Sequence, residues 1–331
     1  MKHIVILYYD KNNKMKINNF KIPTCKISDY KDFQNEIDLL KNKYDITIID
    51  DHKKSINYFI ENKDKIDLVL NLADNGYEND LAKNGYFISL FNILGIKYTG
   101  RQANYVDLLE RKDFLLYLYD YLGISYPRSI IYYPGIDLQF LEKKVNSLEF
   151  PILVKMGISG DSLLLDKNSI CYSFKEIINR IKYIEEILGQ KNVILIQEFI
   201  DNAKEYTSLV LGNYTSNDVK VFTIRISSNI FYDYAQKNDD TLPAEDFYNP
   251  CDIENIKLLK EIEDKLIYLK KITHCKDYVR YDWLLDQDDR YYLIDLNANP
   301  AFDSELFRMY KKFYTIKNGI IDYVIETALK R

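Results

Sequence analysis

An arginine, two carboxylates and an amide stand close together in the stretch Arg280-Tyr-Asp282-Trp-Leu-Leu-Asp-Gln-Asp-Asp-Arg-Tyr-Tyr-Leu-Ile-Asp295-Leu-Asn297-Ala-Asn299-Pro300. The pattern reads as two strands joined by a turn at Gln287–Arg290. A turn of that length sets Leu285 opposite Tyr292, Asp282 opposite Asp295 and Arg280 opposite Asn297. Alternation then projects Arg280, Asp282, Asp295 and Asn297 from one face and leaves Trp283, Leu285, Ile294 and Leu296 to the core. Two carboxylates directly opposed on a sheet repel each other. At ~5 Å and an effective dielectric of ~20 the cost is ~3 kcal/mol. A cation between them removes that cost, and an oxygen-only ligand set suits Mg²⁺ or Mn²⁺. The competing reading is a solvated hairpin face with its charges spread in water.

A second cluster lies upstream. Lys155 ends the apolar run Phe150–Val154 and precedes a Gly/Ser loop, Gly157–Ser162. A lysine at a strand end can reach a phosphate while the N–H groups of such a loop cap the anion; taken alone, it reads first as a surface lysine before a hairpin turn. Gln197-Glu198-Phe199-Ile200 alternates polar and apolar at the end of another strand, as an edge or hinge would.

The elements that must position these residues follow from hydrophobic periodicity. Ile4–Tyr9, Asp45–Asp50, Ile66–Leu72 and Ile96–Thr99 read as strands, alternating with helices at Asp29–Lys43, Lys54–Lys65 and Gly85–Leu94. Such alternation predicts a doubly wound parallel sheet. Asn104–Leu122 reads as one long helix closed by Gly123. Beyond it, Ser129–Tyr133, Phe150–Met156, Leu163–Asp166, Val193–Ile200, Glu205–Leu211, Val219–Ser227, Tyr278–Asp286 and Tyr291–Leu296 read as strands, with a helix at Phe174–Leu188. Adjacent strands joined by turns pair antiparallel. The chain is thus α/β and then α+β.

Composition bounds the function. The 331 residues suffice for two or three domains, and a formal charge of −5 provides no global basic field for nucleic acid or anionic membrane. The cysteines Cys25, Cys171, Cys251 and Cys275 form no CxxC pair, and His3, His52 and His274 are the only histidines. Disulfide frameworks, zinc knuckles and three-histidine metal sites are thereby disfavoured. The apolar start is too short for a signal peptide, and no run reaches the ~18 apolar residues of a membrane span, so a cytoplasmic protein is expected.

Taken in order, these pieces resemble the ATP-grasp superfamily, and within it the D-alanine–D-alanine ligase-like branch. Leu94-Gly-Ile-Lys-Tyr-Thr-Gly100 is similar to that family's LGIPYTG, and Lys112 follows at the spacing of its first ATP lysine. Phe150-Pro-Ile-Leu-Val-Lys155 resembles FPxxVK, and Val193–Ile200 followed by Lys204-Glu205-Tyr-Thr resembles VExF(I/L)…EFT. Phe231-Tyr-Asp-Tyr-Ala-Gln-Lys237 is close to FYDYxxK, and Arg280-Tyr-Asp282 and Asp295-Leu-Asn297 resemble RxD and ExN.

The resemblance implies an ATP-grasp architecture with two α+β lobes clasping ATP, divided as 1–100, 101–190 and 191–331. Lys112 and Lys155 would contact the α- and β-phosphates, with Gly160 and Ser162 in the phosphate loop. Glu198, Phe199 and Ile200 would hydrogen-bond adenine, and Glu205 the ribose. Lys237 would contact the γ-phosphate or the acyl phosphate. Asp282, Asp295 and Asn297 would hold two Mg²⁺, with Mn²⁺ an alternative. Arg280 would stabilise the acyl phosphate and the tetrahedral intermediate, with Lys237 and Ser162 beside it as catalytic groups.

The departures from the family concern the amino-acid substrates. Asp10 stands in for a donor-binding glutamate, Asp74 lies in an Asn71-Leu-Ala-Asp74-Asn-Gly76 variant of HGxxGEDG, and Asp161 enters the phosphate loop. The hydroxyl that holds the acceptor carboxylate becomes Leu306, flanked by Phe302 and Phe307, with Asn299 and Ser304 as remaining candidate contacts. The expected function is an ATP-dependent carboxylate–amine ligase acting on small amino-acid or peptide substrates, with a homodimer left open. The alternatives are a D-alanine–D-alanine ligase of cell-wall synthesis and a non-catalytic ATP-binding regulatory protein.

Overall fold

The computed structural model describes residues 1–17, 20–21, 34–73, 76–83, 85–157, 164–188, 192–215, 218–227, 244–302, 305–316 and 319–331. Asp74, Gly160, Asp161, Ser162, Lys237 and Ser304 lie outside them.

The N-terminal unit is built on β1 (Lys2–Leu7), followed by a small hairpin of β2 (Lys16–Ile17) and β3 (Phe20–Lys21) whose Lys16 bridges to Asp80. β1 pairs in parallel with β4 (Tyr44–Ile49) and β5 (Leu68–Asn71), giving the order β4-β1-β5. Alternation on β1 sends Ile4 and Ile6 into one core and Val5 and Leu7 into another. Phe59, Phe87, Ile88 and Phe91 cover the second face. The first is covered by the C-terminal helix Ile320–Leu329, through Ile320, Ile321, Val324, Ile325 and Ala328. Both faces are therefore buried, as a parallel sheet requires. The expected strand at Ile96–Thr99 reduces to a single bridge, Val69 to Tyr98. Gly95 and Gly100, both at positive φ, bend the chain at either end of it.

A four-stranded antiparallel sheet follows, in the order β6 (Ser129–Tyr132), β9 (Ile194–Glu198), β7 (Ile152–Met156), β8 (Ile170–Cys171). Helices Leu138–Val145 and Phe174–Leu188 bury their apolar stripes against it. β9 lies between β6 and β7, so a boundary at 190/191 separates a strand from the sheet it completes. The strand expected at Leu163–Asp166 is corrected. Leu164 has φ 58°, Asp166 caps a turn at Lys167–Ser169, and the strand is Ile170–Cys171.

The last sheet has the order β12 (Tyr248–Pro250), β11 (Lys220–Ile226), β10 (Lys204–Leu211), β13 (Tyr278–Leu285), β14 (Tyr291–Asn297). One face packs Tyr206, Val279, Tyr281, Trp283 and Leu293 against helices Lys112–Leu122 and Ile256–Ile272. Tyr206 stacks on Trp283 at 4.7 Å, and the indole N–H donates to Ser208 Oγ at 2.9 Å.

Two local corrections shape the site. The long helix expected over Asn104–Leu122 breaks at Arg111, which has extended φ −97° and ψ 93°. The Arg111 guanidinium closes on the buried Asp113 carboxylate, and the Lys112 N–H donates to Gly157 O at 2.8 Å instead of a helical carbonyl. In the β13–β14 hairpin, Leu285 pairs with Tyr291, not Tyr292. A bulge at Ile294 then restores the register, so that Asp282 faces Asp295 and Arg280 faces Asn297. Leu293, 2% exposed, takes the core place expected for Ile294.

Candidate active site

The β13–β14 register brings Arg280, Asp282, Asp295 and Asn297 onto one face, as the alternation demands. Arg280 forms a fork with Asp282: Nε donates to Oδ1 at 3.1 Å and the terminal nitrogen to Oδ2 at 3.0 Å. Thr207, paired with Asp282 across β10 and β13, donates its hydroxyl to Oδ1 at 2.7 Å. Behind it, Tyr310 of helix Glu305–Phe313 donates to Thr207 Oγ1 at 3.4 Å. Burial disfavours the Arg280 charge, but Asp282 and then Asp295 outweigh it and push the guanidinium pKa further up.

The break at Arg111 places Lys112 at the first turn of its helix, and its Nζ reaches Asp295 Oδ1 at 2.5 Å. Burial alone would raise the Asp295 carboxyl. Lys112, with Lys155 and Arg280, instead holds it below the usual carboxylate range. Lys155 arrives from the other sheet. The β7 pattern buries Ile152, Val154 and Met156 and turns Lys155 outward, where its Nζ lies 3.4 Å from the carbonyl of the bulged residue Ile294. Two sheets thus meet at a face where three cations converge on two carboxylates. The opposed carboxylates do not require a metal ion to relieve their repulsion, as the sequence argument held, because Arg280 and Lys112 already do so. Among the described residues, no group of three or more His, Cys, Asp or Glu is placed to hold a metal. The oxygen-bearing groups gathered on this face are two carboxylates and the Asn297 amide, which are hard donors.

The remaining expected residues separate into those the fold brings here and those it engages elsewhere. Glu205 lies two residues from Thr207 on β10, on the same face. The Glu198 carboxylate is engaged by Arg128 (3.1 Å) and by the Glu149 N–H (2.9 Å). Its backbone N–H donates to Arg128 O at 2.9 Å, and that of Phe199 to Pro151 O at 3.0 Å. Neither N–H is left for a base. Ile200, at the end of this segment, is half-buried. The Asp10 carboxylate is 1% exposed and accepts from the Asn12 N–H (3.0 Å), Asn12 Nδ2 (3.1 Å) and Asn13 Nδ2 (2.6 Å). It closes its own turn and is not presented to a substrate. Asn299 is buried, with Oδ1 accepting from Tyr278 at 2.5 Å. Phe302 and Phe307 face the core, with Phe302 4.7 Å from the Tyr278 ring and 4.6 Å from Phe307, and Leu306 is buried with them. They do not widen an acceptor pocket.

Sequence reasoning missed Thr207, Tyr278 and Tyr310. Thr207 had a signal, since it alternates with Glu205 on one strand. Tyr278 had one too, two residues before Arg280 on its strand, whereas Tyr310 had none, because its partner Thr207 is distant in the chain.

The family model described as D-ala D-ala ligase C-terminus matches residues 134–321, more than half of the chain. The chain belongs to this family. Its fold is the ATP-grasp fold of the D-alanine–D-alanine ligases. A D-alanine–D-alanine ligase of Wigglesworthia glossinidia brevipalpis is 25% identical over 332 residues, covering 96% of this chain and 85% of that protein. D-alanine–D-alanine ligase B of Clostridium tetani is 29% identical over 192 residues, which span 56% of this chain and 50% of that ligase. Among solved structures, the D-alanine–D-alanine ligase of Bacillus anthracis complexed with ATP superposes with a TM-score of 0.70 at 20% identity, covering 100% of this chain and 98% of that one. The VanG D-Ala:D-Ser ligase of Enterococcus faecalis gives 0.69 at 18% identity, with 99% of each chain covered. In the family's terms, the matched segment carries Lys155, Arg280, Asp282, Asp295 and Asn297, while Lys112 precedes it.

Proposed function

We propose that this protein is an ATP-dependent carboxylate–amine ligase, forming an amide or peptide bond through an acyl phosphate and releasing ADP and phosphate. The observation that carries this reading is the convergence of Lys112, Lys155 and Arg280 on the Asp282–Asp295 face. Phosphoryl transfer needs neutralisation and positioning of phosphate charge more than a protein nucleophile. Lys155 and Lys112 are the groups proposed to hold the triphosphate. Arg280, fixed by its fork on Asp282, is proposed to face the developing oxyanion. Asp282, Asp295 and Asn297 fit a divalent cation by their all-oxygen chemistry, and Mg²⁺ bound there would supply further neutralisation of the phosphates. Lys112 now occupies Asp295, so phosphate binding is proposed to draw its ammonium away and free that carboxylate. Ile200 is the proposed contact for adenine and Glu205 for ribose.

The substrates are proposed to be small amino acids or peptides. D-Alanine is the first to try, because the curated relatives are ligases of that name. As acceptor, however, it would find no hydroxyl at position 306, where the family places one and where this chain buries a leucine in the core. A leucine donates no hydrogen bond, and an under-satisfied carboxylate costs ~1–3 kcal/mol. D-Alanine is therefore expected to be a poor acceptor. ADP release, measured across a panel of amino acids offered singly and in pairs, tests the reading. ADP formation that no carboxylate–amine pair stimulates would refute it.

A further inference from the structure

Asn297 ends β14, and the turn beyond it has a structure of its own. The Asn299 N–H donates to Asn297 Oδ1 at 2.9 Å. Because that partner is a donor, the amide atom facing it must be the oxygen, which settles the amide's orientation. This bond engages one lone pair of Oδ1, and among the described residues no donor engages the other. Asn299 is held in turn from below. Its Oδ1 accepts from the Tyr278 hydroxyl at 2.5 Å, and Tyr278 is fully buried on β13, two residues before Arg280 and on the same face.

A third residue, from the N-terminal unit, closes the arrangement. Gly100 has φ +92°, and a Cβ there would lie 3.0 Å from Asn299 Oδ1 and 3.4 Å from the Tyr278 hydroxyl. Its backbone is bonded in both directions. The Gly100 N–H donates to Asp277 Oδ2 at 3.3 Å, and Gly100 O accepts from the Lys276 N–H at 3.3 Å. Arg331 fixes the Asp277 carboxylate with two contacts of 3.1 Å. The Tyr278 hydroxyl also lies 3.4 Å from the carbonyl of Asn71, at the end of β5.

We propose that Tyr278 and Asn299 are positioning residues for the Asn297 amide, and that Gly100, by lacking a Cβ, lets the N-terminal unit dock over this pair without displacing it. The free lone pair of Asn297 is aimed at a cation only while that unit is docked on β13. This inference rests on the assignment of Asp282, Asp295 and Asn297 as the metal ligands. Partners one shell out from a metal ligand commonly alter affinity by about tenfold or more.

The test is Mn²⁺ binding, read by electron paramagnetic resonance of the free ion with a saturating non-hydrolysable ATP analogue, on the full chain. Tyr278→Phe is expected to weaken Mn²⁺ about tenfold while keeping a cooperative thermal transition. Asn299→Ala is expected to do the same, and the double variant to be no worse than the weaker single one, because both cut one chain of contacts. Should Tyr278→Phe fail to fold, Asn299→Ala decides by the same criterion. A folded Tyr278→Phe within about twofold of wild type, with Asn297→Ala having lost Mn²⁺, overturns the inference and leaves the metal assignment standing. Unchanged Mn²⁺ affinity in Asn297→Ala overturns the assignment and the inference with it.

Discussion

Replacing Lys112 by methionine should tighten the binding of a divalent cation to the nucleotide-free protein, although it removes a residue proposed to serve catalysis. Lys112 Nζ lies 2.5 Å from Asp295 Oδ1, with side-chain exposures of 15% and 26%. At ~2.5 Å and an effective dielectric of ~20 the gross attraction is ~7 kcal/mol. Desolvation of both ions cancels most of it, leaving roughly 1–2 kcal/mol, between an exposed pair and a buried one that loses its partner. A metal ion that takes Asp295 must forfeit that sum. Methionine has a similar length and no charge, so the forfeit disappears, and Mn²⁺ affinity should rise about fivefold to thirtyfold, given ~1.4 kcal/mol per factor of ten. Nucleotide affinity should fall, since a phosphate-binding cation is gone. Paramagnetic resonance titration of Mn²⁺ without nucleotide reads the first effect and calorimetry with an ATP analogue the second. Unchanged or weaker Mn²⁺ binding in the nucleotide-free variant would refute the view that Lys112 occupies the cation's place.

Thr207→Val keeps the shape of the side chain but leaves Asp282 Oδ1 without its 2.7 Å donor. Its kcat should fall at least tenfold, on a ~1.5–3 kcal/mol charge-assisted bond, and Thr207→Ser should recover most of it in steady-state assays. Ile325→Ala should cost about 2–4 kcal/mol by emptying part of the core under β1, lowering the urea midpoint while kcat is retained. The depressed Asp295 carboxyl supplies stability that is fully present above the unfolded-state value of ~4 and is lost as pH falls through the folded one. The gap in melting temperature between wild type and Asp295→Asn should therefore hold at neutral pH and close below about pH 4.

The site was legible where local periodicity decides it, and less so where distant segments meet. The hairpin is the clearest case. A loop one residue longer than expected shifts the register at Leu285, and the Ile294 bulge shifts it back, so the expected pairing of Asp282 with Asp295 is right while the pairing nearest the turn is not. The bulge leaves its trace at Lys155, whose partner is the Ile294 carbonyl. The break at Arg111 is hidden because apolar residues continue on either side of it. Only the charged triplet Arg111-Lys112-Asp113 hints that the local hydrogen bonds go elsewhere. The division into units was the least legible feature. Helix Ile320–Leu329 completes the core of a sheet that begins at Lys2, and no sequence window contains both. The Asp10 carboxylate, proposed for a substrate, is engaged by Asn12 and Asn13 two and three residues away, an Asx turn that the Asp-Lys-Asn-Asn sequence does announce.

The central claim is that the Lys112–Lys155–Arg280 face over Asp282 and Asp295 drives amide formation with ATP. Mass spectrometry of the products, run beside ADP release for wild type and Asp295→Ala over the same amino-acid panel in Mg²⁺ buffer, tests it most directly. The wild-type protein should form at least one amide product one-for-one with ADP, and Asp295→Ala none although it remains folded. Wild-type rates of ADP and amide formation by Asp295→Ala, or ATP binding by the wild-type protein with no amide from any pair, would contradict it.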